Sequence, residues 1–390
     1  MSKIIRKKAL IIYTNRSTFV EGDMKILGRE YELIEYGFVN YPKNRLPLSL
    51  IRQFFYLLFN LRRFDLVYIW FADYHSWLPI RMASLFGVRA YLVIGGYDVC
   101  REKKYGYGSF VKKTRGFMAR QSMEYATLNL CVSHYIERVV RAIAPKTKTE
   151  VIYNGVDIAT FKRGSEGSGG PERIENSGEY ADRLAGEKEI PAKDKMILCV
   201  AIINSSQTYY IKGIDRYIAL AESFPENKFL LVGADRRVLE RECVREQGKE
   251  YVGGAGKEYV RGAERGSAKE LPENLVVMPK IRHQDLGRLY CEAHVYCQLS
   301  RRESFSLSLA EAMLYEAAPV VTNVGGMPEV TGDLGVIVDG NVSEEIIAGL
   351  KNALERGPCP ECAERVINEF SIEKRAEKVL STISFHSKLF

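Results

Sequence analysis

No apolar stretch in this 390-residue chain reaches the ~18 uncharged residues that a spanning helix needs, so the sequence predicts no transmembrane segment. The start, MSKIIRKKALIIYT, is basic and then apolar, but it has no small-residue cleavage site and alternates like a strand, so it does not read as a signal peptide. Acid is scarce early on. Residues 1–150 hold 12 Asp and Glu against 25 Lys and Arg, net +13, whereas the remaining 240 hold 37 against 31, net −6. Such an imbalance implies an anionic partner for the first half: a membrane surface, a phosphorylated acceptor or nucleic acid. Only one CxxC is present, Cys359-Pro360-Glu361-Cys362. A structural zinc site needs about four ligands and no second pair has the spacing, so these read as two cysteines at a helix start. The eight cysteines are scattered through apolar elements, which suits reduced thiols in a cytoplasmic protein.

What is present supports a packed core. The chain is 46% hydrophobic and 27% charged, which excludes wholesale disorder, and its length fits two domains of roughly 150 to 200 residues. KKALIIYTN predicts a buried first strand, then a polar loop, RSTFVEGD, and a helix. LSLIRQFFYLLFNLRRF predicts an amphipathic helix, DLVYIWF a strand, LPIRMASLFG a helix stopped by Gly87, and RAYLVIGG a strand ending in a glycine pair. A basic helix, SFVKKTRGFMARQSMEYA, and two strands, TLNLCVS and TEVIYNG, follow. Residues 162–195 are polar and rich in Gly, Ser and charge, and read as a flexible insertion beside a linker. The alternation then restarts, from MILCVAI to PVVTNV. GKEY occurs at Gly248 and again at Gly256, in a stretch that reads as a surface loop or a local duplication and not as a repeat architecture. Strands alternating with helices predict an α/β fold with doubly wound parallel sheets, 1–161 forming one domain and 196–369 the other. Two such domains bind ligand at the carboxyl ends of their strands, in the cleft between them.

The strongest chemical signal is Glu303-Ser304-Phe305-Ser306-Leu307-Ser308-Leu309-Ala310-Glu311, which follows the strand VYCQLS and opens a helix. A helix N-terminus presents free N–H groups and a positive dipole end, a seat for phosphate. Eight residues at about 1.5 Å each set the two carboxylates up to ~12 Å apart along the axis. That exceeds the ~5–9.5 Å of a glycosidase pair. The pair therefore suits gripping two ends of one long ligand with phosphate between. Spacing alone leaves a second reading open, in which Glu303 caps the helix and Glu311 is a solvated helix residue.

These residues stand in a wider pattern. VIYNGVDIATF at 151–161, Ile211-Lys212-Gly213, and SRRESFSLSLAEAMLYEAAPVVTNVGGMPEV at 300–330 occur in this order. Together they resemble the retaining GT-B glycosyltransferases of family 4 (glycosyl transferases group 1), of archaeal and bacterial type. The resemblance implies a GT-B fold, two Rossmann-like doubly wound domains facing across a cleft, with the segment 370–390 packing back onto the first. It implies metal-independent, retaining hexosyl transfer from a nucleotide-diphosphate sugar, with no cofactor. Glu303 and Lys212 would be catalytic, Lys212 neutralising the leaving phosphate and Glu303 meeting the sugar hydroxyls near the reacting carbon. Phe305, Ser306 and Leu307 would receive the diphosphate on their backbone N–H groups beside Gly213, and Glu311 would hold the ribose. The absence of an Asp-x-Asp motif agrees with metal independence.

Two departures are visible. Many members carry an arginine shortly before the Lys-Gly pair; here ILCVAIINSSQTYYIKG has none, leaving Asn204, Ser205, Arg216 or a basic group of the first domain as substitutes. Many also carry a histidine where this chain has Gly95 and Gly96, followed by Tyr97 and Asp98. With Asp73 and His75 at the end of the preceding strand and Ser17 in the loop after the first, the acceptor-side candidates are Ser17, Asp73, His75, Gly95, Gly96 and Asp98; Asp98 reads equally as a helix N-cap and His75 as a structural histidine. Arginines and lysines interleaved with aromatics in 48–64 and 101–125 suit an anionic membrane surface, and no motif supports nucleic acid. The expectation is a peripheral enzyme on the cytoplasmic face of a membrane, with a lipid-linked or other anionic acceptor. A soluble-acceptor transferase, a nucleotide-sugar epimerase on the same fold and a non-catalytic membrane-binding member stand as alternatives.

Overall fold

A computed structural model describes residues 6–39, 45–159, 196–247, 271–339 and 343–387. The insertion expected at 162–195 and the paired GKEY segments lie outside the described residues. Two compact units emerge, Met1–Val156 with Asn368–Phe390, and Asp157–Ile367.

In the first unit, β1 (Lys7–Tyr13), β2 (Tyr31–Gly37), β3 (Leu66–Trp70), β4 (Arg89–Ile94), β5 (Leu128–Cys131) and β6 (Thr149–Val151) form one parallel sheet in the order β2-β1-β3-β4-β5-β6. The central strands are continuous runs of buried aliphatic and aromatic residues because helices cover both faces. The order reverses between β1 and β3. The segment RSTFVEGD, expected as a polar loop, is mostly helix, Thr18–Leu27. Val20, Met24 and Leu27 fall at helical spacing and are buried, and this apolar face outweighs the local polarity. β2 went unpredicted because Glu32 and Glu35 interrupt it; it is an edge strand on which both glutamates stay exposed.

A buried ion pair fastens the last helix, Ile372–Ser387, to this unit. Arg375 donates Nε to Asp23 Oδ1 (2.7 Å) and Nη2 to Oδ2 (2.8 Å). Tyr68 Oη (2.7 Å) and Trp70 Nε1 (2.9 Å) also donate to Asp23, and Arg375 Nη1 reaches the carbonyls of Ile152 and Tyr153. Asp23 is 1% exposed, so its charge is tolerable only with these donors in place.

The second unit contains β7 (Ile197–Ile203), β8 (Phe229–Ala234), β9 (Leu275–Met278), β10 (Val295–Gln298), β11 (Ala318–Thr322) and β12 (Val336–Val338), all parallel, in the order β12-β11-β10-β7-β8-β9. Renumbered within the unit, this is the 3-2-1-4-5-6 order of a Rossmann sheet, and its switch point lies between β7 and β10. Ligands of such sheets bind outside the carboxyl ends of those two strands.

Replacing Asp23 by Ala strands a buried guanidinium, and the expected loss is about 3–5 kcal/mol in the first unit. Both tryptophans, Trp70 and Trp77, belong to that unit. Denaturant unfolding followed by tryptophan fluorescence therefore reads it directly; a loss under ~1 kcal/mol, as for an exposed pair, would contradict the assignment.

Candidate active site

The carboxyl end of β10 leads into residues 299–306 and the helix Leu307–Leu314. The carboxyl end of β7 leads through the short helix Ser206–Ile211 to Lys212 and Gly213. Lys212 and Glu303 thus issue from the two strands that flank the switch point. Lys212 Nζ lies 2.7 Å from Glu303 Oε2. Gln298 Nε2 donates to the same oxygen at 2.8 Å, and the Ser304 N–H donates to Oε1 at 3.3 Å.

Two glycines pack against the two ends of this loop. Gly213 has φ 66°, and a Cβ there would overlap the Leu299 carbonyl. Gly325 also has φ 66°, and a Cβ there would overlap the Glu303 carbonyl. Both positions demand left-handed backbone and close approach at once, which only glycine permits. Arg301 locks the same loop further, with Nη1 and Nη2 donating to Asp215 at 2.6 and 2.5 Å and its N–H donating to the Ile211 carbonyl at 2.8 Å.

Ser306 caps the helix from an unusual conformation, φ 75° and ψ 87°, and its Oγ accepts from the Leu309 N–H at 3.4 Å while donating to Gln298 Oε1 at 2.6 Å. A non-glycine residue in this region carries strain of order 1–3 kcal/mol, and such strain concentrates at functional sites. Phe305 is fully buried and Leu307 is the first helical residue. The capping alternative for Glu303 is therefore excluded, because Ser306 is the cap.

Glu311 is 5% exposed, which excludes the solvated alternative. His283 Nε2 stands 2.7 Å from its Oε1, and Tyr290 Oη donates to Oε2 at 2.8 Å. The bond to Glu311 raises the pKa of His283 above its ordinary value, against an opposing effect of burial. Burial, with Glu311 beside it, pushes the Tyr290 hydroxyl far upward.

Of the groups considered for the missing arginine, Ser205 Oγ is engaged in the cap of the helix Ser206–Ile211, where it accepts from the Thr208 N–H. Arg216 Nη1 donates to the Leu299 carbonyl at 3.3 Å, which sets a guanidinium against the same loop.

The first unit's candidates divide differently. Ser17 precedes the helix Thr18–Leu27 without a capping bond, and its hydroxyl has no partner. Asp73 caps the helix Tyr74–Phe86 and pairs with Arg115, Nε donating at 2.7 Å. His75 is a core residue. It is buried, with Nε2 2.8 Å from the Trp70 carbonyl, and burial lowers its pKa. Asp98 is buried as well and is no helix cap: it accepts from the N–H groups of Gly95, Gly96 and Ala72, tying the loops after β3 and β4 together. Burial, partly offset by those bonds, pushes its carboxyl up to about 6. Both His75 and Asp98 are 1% exposed, and each is held by backbone groups of its own unit.

The sequence reading missed Gln298, His283, Tyr290 and Arg301. Gln298 had a signal: it is the lone amide in an otherwise apolar, fully buried strand. His283 and Tyr290 had none, since their meaning depends on Glu311. Cys359 and Cys362 bracket the start of the helix Pro360–Glu369, with sulfurs 2.8 Å apart. Among the described residues no cluster of three or more His, Cys, Asp or Glu side chains is arranged to hold a metal.

The geometry, a Rossmann switch point bearing a lysine–glutamate pair in the loop before a strained helix N-terminus, is that of a ligand site at the carboxyl ends of two neighbouring strands. The chain belongs to the glycosyl transferases: Glycosyl transferases group 1 matches residues 182–369 and Glycosyltransferase Family 4 matches residues 12–160. It is 24% identical over 203 residues to a phosphatidylinositol N-acetylglucosaminyltransferase subunit of Homo sapiens, covering 49% of this chain and 38% of the relative. It is 34% identical over 92 residues to O-antigen chain mannosyltransferase B of Escherichia coli, covering 24% of this chain and 23% of the relative. The chain thus spans well under half the length of these relatives. Sucrose-phosphate synthase from Thermosynechococcus elongatus superposes over 99% of both chains with TM-score 0.73 at 16% identity. Anabaena HepE, solved in complex with UDP-glucose, superposes over 97% of this chain and 99% of its own with TM-score 0.66 at 14% identity. The fold is GT-B.

The His283–Glu311 pair makes a pH-dependent contribution. With the histidine pKa raised, that contribution is complete below the ordinary value of 6.5 and fades as pH rises through the raised value. An NMR titration of the His283 ring is expected to give a midpoint above 6.5 that falls in Glu311→Gln. A midpoint at or below 6.5 in the unaltered protein would dismiss the pairing.

Proposed function

We propose that this protein is a retaining, metal-independent glycosyltransferase that moves a hexose from a nucleotide-diphosphate sugar to a lipid-linked or other anionic acceptor, working at the cytoplasmic face of a membrane. The observation that carries the reading is the Lys212–Glu303 pair at the switch point, next to the N-terminus of the helix Leu307–Leu314. The first N–H groups of that helix have no intrahelical acceptor, so a diphosphate can receive them.

In this reading the donor diphosphate lies against Phe305, Ser306 and Leu307, and Lys212 turns from Glu303 toward the phosphate. As the bond from the anomeric carbon to the phosphate oxygen breaks, negative charge gathers on that oxygen, and the ammonium stabilises it most in the transition state. The acceptor oxygen bonds the same carbon on the same face, and its proton passes to the departing phosphate oxygen. Configuration is retained and no proton is left over. Glu303, fixed by Gln298, orients the sugar hydroxyls. Glu311 holds the ribose hydroxyls through the oxygens that His283 and Tyr290 now occupy, or through their donors once those shift. The cationic groups at the phosphate are Lys212 and Arg216, which is why no metal is invoked. The donor class is supported by the UDP-glucose complex of the HepE neighbour, and a lipid acceptor by the name of the human relative.

The test is a thermal-shift screen against nucleoside diphosphates, then transfer of the matching sugar to extracted lipids with NMR of the product's anomeric centre. Lys212→Ala and Glu303→Gln are each expected to lower kcat by about 10²–10³ while EDTA changes nothing. Absence of any nucleotide shift, or inverted product, sinks the proposal.

A further inference from the structure

The helix Leu46–Asn60 packs inside out. Leu48, Ile51, Phe55, Leu58 and Phe59 recur at spacings of three and four, and so share one stripe. That stripe faces water: Leu48 is 66% exposed, Phe55 51% and Phe59 70%. The opposite side buries Leu57 and the polar Gln53, whose Nε2 donates to the His75 carbonyl at 3.0 Å. That buried bond fixes the helix rotation, so the apolar stripe is held outward by a specific contact. A helix of a soluble domain does the reverse. The surface continues past the helix. Arg62 lies with its guanidinium carbon 4.8 Å from the Phe86 ring, at the end of the helix Tyr74–Phe86, where Leu85 is also exposed.

Charge selects the occupant. Residues 46–64 contain Arg52, Arg62 and Arg63 and no acid. All three arginines are exposed, and Arg52 stands within the stripe. A protein partner or a second copy would have to bury these guanidinium groups among phenylalanines. A bilayer with anionic headgroups accepts both at once, the rings entering the acyl boundary and the arginine stems reaching back to the headgroups.

We infer that the helix Leu46–Asn60 is a membrane-inserting face of the first unit, seated in an anionic lipid surface through Ile51, Phe55 and Phe59 with Arg52 and Arg62 at headgroup level. This deepens the lipid-acceptor reading above but does not need it, because binding is measured with no sugar nucleotide present. Failure of transfer and failure of vesicle binding are therefore separate results.

The experiment is co-sedimentation of the full chain with vesicles of phosphatidylglycerol and phosphatidylcholine, against vesicles of phosphatidylcholine alone. The expected result is binding to the anionic vesicles that weakens at least about tenfold in Phe55→Ser with Phe59→Ser, since two large side chains leave the acyl boundary. Arg52→Gln with Arg62→Gln is expected to narrow the preference for phosphatidylglycerol. Because both rings are largely exposed, the serine variant is expected to keep the tryptophan-monitored unfolding midpoint. A second measurement does not depend on loss: in Phe59→Trp, brominated lipids are expected to quench emission beyond that of Trp70 and Trp77. Equal vesicle binding by the serine variant, no added quenching, or a dimer that the serine variant dissociates without any vesicle binding would each overturn the inference.

Discussion

The backbone of residues 299–303 runs between two glycines, and the site depends on that confinement. At one end Gly213 lies against the Leu299 carbonyl; at the other Gly325 lies against the carbonyl of Glu303. Neither contact tolerates a Cβ, so the loop has little room to drift. Glu303, at its end, inherits that fixity. Its carboxylate is further restrained by Gln298, which is rooted in the sheet and bonded to Ser306 through its other amide atom. One buried amide thus couples the carboxylate to the helix cap. Preorganisation of this kind matters because a charged group that must be gathered during reaction costs reorganisation energy that a fixed one does not.

Much of this was legible before any coordinates. The carboxylate pair, the Lys-Gly element and the doubly wound alternation all leave marks in the linear sequence. The strands ILCVAII and VYCQ flank the switch point once the order is known. The order itself was not readable, because periodicity reports a strand's faces and not its neighbours. The same limit explains the first unit. His75 and Asp98 follow strand ends and carry the right chemistry, yet one serves the Trp70 carbonyl and the other collects loop N–H groups. Strand-end position brings a residue to the correct level of the fold and leaves its direction undetermined. RSTFVEGD failed for a different reason. Arg16, Thr18 and Glu21 are exposed, while Asp23 turns inward to Arg375, and a short window sees only the polarity of all four.

The two units solve the problem of a buried carboxylate in contrasting ways. Asp23 is surrounded by Arg375, Tyr68 and Trp70, with no route for a ligand to replace any of them, and its role ends in fastening the last helix. Glu311 is nearly as buried, but one of its partners, His283, is 38% exposed on its side chain. An exposed donor on a buried acceptor is a displaceable contact. This distinguishes a carboxylate that holds the fold from one able to exchange partners.

Lys212 presents the same contrast from the cationic side. In the free protein its ammonium is satisfied by Glu303, so no bare charge waits at the helix N-terminus. For a phosphate to recruit it, the lysine must leave Glu303. Gln298 and the Ser304 N–H stay behind, so the carboxylate keeps hydrogen-bond donors when the ammonium departs. Without them, moving the lysine would leave a partly buried carboxylate without a donor, and part of the gain at the phosphate would be cancelled. The buried glutamine therefore does two things that Lys212 alone cannot. It keeps Glu303 in place before the donor arrives, and it lowers the cost of releasing the lysine afterwards. In the proposed reaction, that release is what commits positive charge to the leaving group at the moment when negative charge appears there.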